Sequence, residues 1–149
     1  MKRCFVFLVS AVLFMACHNT DESVSHNRST TFQEEATAPV RLNKDHRWTA
    51  DAATNKNVAW LQQKAAKRNG QPHDKAEDYQ QTAAALQTGL NQLIKDCTMK
   101  GKDHDALHLW LEPLLQDNRA LQTVTDVNAG DRLFHSVRTR LADYNLYFN

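Results

Sequence analysis

Four stretches in the later two-thirds of the chain repeat apolar residues at steps of three and four. That spacing constrains the fold more than any other feature, because positions three and four apart share one face of an α-helix. In the first stretch Val58, Leu61 and Ala65 form the stripe, with Asp51 and Thr54 extending it backwards. The second runs through Tyr79, Ala83, Leu86, Leu90, Leu93 and Cys97. The third holds His104, Leu107, His108, Leu111, Leu114 and Leu115, and the fourth Phe134, Val137, Leu141, Tyr144 and Phe148. Breaks separate them. Asn69-Gly70-Gln71-Pro72 stops the first helix, and Asp74 is placed to cap the second. Gly101 suits the position just past the second helix, and Asp103 the cap of the third. The third gives way to the fourth between Thr123 and Gly130. Short links between helices of ~20 residues favour antiparallel neighbours, so the expected fold is all-α, an up-down-up-down four-helix bundle over residues 46–149. Pro113 removes a backbone bond inside the third helix and is expected to bend it.

The start of the chain has a different character. Met1-Lys2-Arg3 is basic, and Cys4 to Met15 is a run of twelve residues with almost no polarity. A bilayer span takes ~20 apolar residues, so this run has the layout of a secretory signal instead. It ends in Leu13-Phe14-Met15-Ala16-Cys17, which resembles the lipobox of bacterial lipoproteins. The resemblance implies that residues 1–16 are removed and that Cys17 receives a diacylglyceryl group and usually a third acyl chain. One chain anchors only marginally, whereas several hold a protein on a membrane. His18, where Asp would retain a lipoprotein at the inner membrane, implies the outer membrane of the cell envelope. Asp21 and Glu22 resemble the acidic patch of surface-exposed lipoproteins, which leaves open whether the domain faces the periplasm or the cell surface. The alternative is an ordinary signal peptide with an incidental cysteine. Residues 17–45 are rich in Ser, Thr, Asn, Asp and Glu without helical or strand periodicity, and are expected to form a flexible tether.

Composition then excludes several functions. Two of the 18 basic residues, Lys2 and Arg3, belong to the signal, leaving 16 against 17 acidic residues. That near neutrality gives no basic excess for nucleic acid. Of the three cysteines, Cys4 leaves with the signal and Cys17 is lipidated, so Cys97 is the only free thiol in an oxidising compartment. Such a thiol is a metal ligand, an intermolecular partner, or simply buried.

Cys97 opens the segment with the most chemistry: Cys97, Met99, His104 and His108 fall within twelve residues. The histidines are four apart and share a helix face. Thiolate and thioether select copper(I), and imidazole suits copper and zinc alike. The expected site is therefore a copper ion held by Cys97, Met99, His104 and His108. Zinc is the alternative if Met99 points away, and non-covalent haem is a third. In an antiparallel bundle His46, Trp48, Asp51 and Thr54 arrive at the same end. Asp51, supported by His46 and Thr54, would then orient a ligand imidazole through its second nitrogen. Each residue also has a plain role: packing for Cys97 and Met99, a solvated helix end for the two histidines, a helix cap for Asp51.

The stretches Trp48-x-x-Asp51-x-x-Thr54-x-x-Asn57 and Cys97-x-Met99-x-Gly101-x-x-His104-x-x-x-His108-x-Trp110-Leu111 resemble those of small uncharacterised bacterial lipoproteins over about residues 46–149. The resemblance implies no established activity. No paired carboxylates, nucleophile motif or phosphate loop points to an enzyme. The sequence thus leads to two expectations: an envelope lipoprotein that buffers or hands on a soft metal ion, or a metal-free interaction or structural lipoprotein.

Overall fold

A computed structural model describes residues 40–71 and 74–149. The signal sequence, Cys17 and most of the expected tether lie outside the described residues.

Four helices follow one another: α1 (Ala52–Asn69), α2 (Ala76–Asp96), α3 (Gly101–Gln122) and α4 (Val127–Tyr147). Each packs on the next, α4 closes on α1, and α2 also meets α4 across the interior. The architecture is the expected four-helix bundle. Its core is drawn from the stripes read in the sequence. Val58, Leu61 and Ala65 of α1 are buried, as are Tyr79, Ala83, Leu86, Leu90 and Leu93 of α2. Phe134, Val137, Leu141, Tyr144 and Phe148 complete it from the fourth segment. No helix among the described residues is long and apolar enough to cross a membrane.

The face of α3 differs from the expected one. Its buried line runs Leu107, Leu111, Leu114, Asn118 and Leu121, flanked by Ala106 and Trp110. Successive helical residues turn by about 100°, so His108 points well away from Leu107. It is exposed, and His104 and Leu115 are only half-buried on the flank. The expectation that both histidines lie on the apolar face is corrected here. The stripe was centred one residue too far along. Asn118 is fully buried and donates to the Ala83 carbonyl (3.2 Å) and to Gln87 Oε1 (3.0 Å). A buried amide must find such partners, so it fixes how α3 sits against α2. Helix α3 runs through Pro113 without interruption.

The helix ends also redistribute roles. Lys75, not Asp74, is the N-cap residue of α2, and Asp78 reaches back to the Lys75 N–H at 3.3 Å. Helix α2 ends at Asp96 with Cys97 as its C-cap. Gly101 does not follow α2 directly but opens α3, at φ 64°. Asp103 is a first-turn residue of α3 rather than its cap, and accepts from the Thr49 N–H at 3.1 Å.

The folded part starts earlier than the sequence boundary at residue 46, because Val40 is already part of the core. Residues 40–50 form a strap over one end of the bundle. Asn43 and His46 exchange two backbone bonds around Lys44 and Asp45, both at positive φ, the pair of conformations a tight two-residue hairpin demands. The strap then pairs with the chain's last residues. Trp48 N donates to the Tyr147 carbonyl (2.7 Å), Asn149 N to the Trp48 carbonyl (3.0 Å), and Ala50 N to the Asn149 carbonyl (3.1 Å).

Candidate functional site

The strap end gathers the start of α1, the α2–α3 link and the end of α4, where the sequence placed its cluster. Asp51 organises it. As N-cap of α1 its Oδ1 accepts from the Thr54 N–H at 2.6 Å, satisfying a backbone donor that a helix start leaves without a partner. Its Oδ2 accepts from both the backbone N–H and the hydroxyl of Thr98, each at 2.7 Å. One carboxylate therefore starts α1 and hooks the α2–α3 link onto it. Burial raises its pKa, but the hydrogen bonds from Thr54 and Thr98 outweigh that and hold the carboxyl well below the usual range. The Thr54 hydroxyl is buried and has no hydrogen-bond partner. The expectation that Asp51 orients a histidine is corrected: both its oxygens are already engaged. His46 is exposed in the strap turn, and Thr54 is fully buried beneath Asp51.

Next to Asp51 lies a second polar contact that the sequence reading missed. The Tyr144 hydroxyl donates to Asn55 Oδ1 at 2.8 Å. Burial pushes the phenol's pKa up, and the negative charge of Asp51 pushes it further. Cys97 is half-buried and packed against the core. Trp110, Tyr144 and Phe148 form an aromatic cluster, with Tyr144 and Phe148 stacked at 4.8 Å and Trp110 edge-on to Tyr144 at 4.9 Å. The Trp110 indole N–H is satisfied by the Arg140 carbonyl (2.8 Å). Asn55 was legible only as a polar residue one step from the buried Thr54.

The four expected ligands are thus distributed rather than joined. Met99 is half-buried and lines an open hollow of about 190 Å³ with Thr49, Asp51 and Asp103. His104 and His108 stack edge-on with ring centroids 4.5 Å apart, and His108 Nδ1 stands 3.9 Å from Glu112 Oε1. Among the described residues no group of three or more His, Cys, Asp or Glu side chains comes together as a metal site. Because the two imidazoles already adjoin, a thiolate beside them would have made such a group. The shared helix face of the histidines holds. Their convergence with Cys97 does not appear among these residues.

The chain matches no protein-family model, no curated protein and no solved structure.

Proposed function

We propose that the chain is a lipid-anchored envelope protein whose bundle is a rigid, metal-independent module for contacts with other envelope components. The anchor at Cys17 and the outer-membrane placement rest on the lipobox-like sequence alone. The single observation that supports the module reading is the closure of one end. The strap, α1, the α2–α3 link and the last residues are tied by Asp51, Trp48 and Asn149 through hydrogen bonds that need no ion. A tether reaching Val40 would therefore enter the domain at its most cross-linked end. The test has two parts. Mass spectrometry of the mature protein is expected to show loss of residues 1–16 and an acylated Cys17, with Cys17→Ser released from the membrane fraction. Thermal unfolding is expected to be the same with a chelator as with added copper or zinc. A mature protein that keeps its signal, or a fold that collapses on chelation, overturns the reading.

One observation favours a second reading, a copper or zinc ion held at the surface. His104 and His108 present two imidazoles one helical turn apart, 4.5 Å between ring centres, a spacing that suits two nitrogens of one ion. Cys97 and Met99 then pack instead of ligating. Haem gains no support, since neither imidazole faces the core. In a copper titration, His104→Ala with His108→Ala abolishes binding and Cys97→Ser leaves it unchanged. Equal loss in Cys97→Ser restores the four-ligand site expected from the sequence.

A further inference from the structure

The other half of the bundle carries charge that the fold does not use. Three cations of α1, Lys64, Lys67 and Arg68, line a pocket of about 210 Å³ between α1 and α2, together with Gln71, Gln81 and, at its floor, Leu86. Among the described residues, the one carboxylate recorded in an ion pair with any of the three is Asp78, whose Oδ1 stands 3.7 Å from Arg68 Nη2. Lys64 rests over the Trp60 ring at 5.1 Å. Arg68 Nη1 donates to Gln71 Oε1 at 2.9 Å, but Arg68 Nε is buried and has no acceptor.

The last turn of a helix favours cations, because its free carbonyls carry partial negative charge. That accounts for Lys67 and Arg68 occurring there. It does not account for the bare Nε, since a buried donor without an acceptor costs roughly 1–3 kcal/mol. Nor does it explain a third cation over a concave, partly apolar surface. An oxyanion answers the second, because carboxylate or phosphate draws lysine point charges and a guanidinium together; the Nε, closed to solvent, is closed to the anion as well. The volume is below the ~300 Å³ at which drug-sized pockets begin, so it suits a small head.

The geometry points to an anion-binding site in this pocket, taking a phosphate or carboxylate group carried by a small molecule or by a lipid headgroup. It is independent of the lipid anchor and of any metal.

Trp60 is the reporter, because an anion that draws Lys64 inward changes the ring's surroundings. The full chain in detergent is titrated with inorganic phosphate against potassium chloride of matched ionic strength. A saturable change in tryptophan emission, absent in Trp60→Phe, is expected. Lys64→Gln with Lys67→Gln weakens it about tenfold, the equivalent of ~1.4 kcal/mol. In a second arm, the protein in phosphatidylcholine vesicles is compared with the same vesicles containing phosphatidylglycerol. A response to phosphatidylglycerol alone, lost in the double lysine variant, establishes the site with a lipid headgroup as its source. A response to phosphate establishes a soluble one. Emission that follows ionic strength alone, or persists unchanged in the double lysine variant, overturns the proposal.

Discussion

The two ends of the bundle handle polarity in opposite ways. At the strap end, Asp51, Thr98, Asn55 and Tyr144 satisfy one another, and the backbone of the strap pairs with the backbone of the C-terminus. Toward the far end, Lys64, Lys67 and Arg68 line one pocket, Asp78 is the one carboxylate ion-paired with any of them among the described residues, and the close packing there is a matter of shape. Gly130 of α4 lies so near the Tyr79 ring that a Cβ would overlap it. A cluster of chemically versatile residues can therefore be structural. Functional capacity is better judged by which polar groups remain without partners than by which residue types lie close in sequence.

If the strap end is closed by hydrogen bonds, its largest dependence is on Asp51. Asp51→Ala removes the α1 cap and the bonds to Thr98 together, and is expected to cost about 3 kcal/mol in urea unfolding. A loss below half of that breaks the comparison. The pH dependence follows from the lowered pKa. The unfolded chain takes up a proton before the folded one does, so the contribution of Asp51 is complete above the ordinary carboxylate range. It is lost as pH falls through that range toward the folded value. The acid limb of stability against pH should flatten in Asp51→Ala.

At the far end the corresponding change is steric. Gly130→Ala is expected to cost about 1–3 kcal/mol by overpacking against Tyr79. Gly89→Ala meets the Trp60 ring and also Leu61 Cδ2; Trp60 is partly exposed and can give, but Leu61 is fully buried, so the cost should be of the same order. A cost near zero at either glycine would show that shape does not limit the packing there.

Tyr144→Phe deletes one hydroxyl and leaves Asn55 without its donor, for about 1 kcal/mol. Its signature is at high pH. The raised phenol pKa means that the unfolded chain loses its proton first, so wild-type stability falls as pH rises above the unfolded tyrosine value of about 10. In Tyr144→Phe that alkaline fall is reduced. Smallest of all, Cys97→Ala should cost about 1 kcal/mol or less, as expected of a half-buried packing thiol.

The sequence carried the helices and most of the core because the three-and-four spacing of Leu, Val, Phe and Tyr leaves few alternatives. It misplaced the buried line of α3 because His104 and Leu115 flank that line closely enough to pass for members. Asn118 and Leu121 lie on the same line but beyond the stretch that was read. The first part of the strap was read as tether since Val40 to Asp45 has no periodicity; it is held by the Asn43–His46 hairpin, the Trp48 Nε1 bond to the Arg41 carbonyl and the burial of Val40, while Trp48 and Ala50 pair with residues about a hundred positions away. The meeting of α1 with the α2–α3 link was foreseen, and the strap end bears it out through Asp51–Thr98, to which Tyr144–Asn55 adds α4. Their chemistry was not. Spacing along α2 and α3 says nothing of the direction in which Cys97 leaves the last turn of α2.

The most direct test of the strap end as a structural closure is a copper or zinc titration of the metal-stripped mature protein, followed by thermal unfolding, in wild type and Cys97→Ser. The account predicts that added metal leaves the unfolding temperature of both unchanged. A rise of more than about 5 °C in wild type that Cys97→Ser abolishes, equivalent to roughly 1 kcal/mol in a domain of this size, would contradict it.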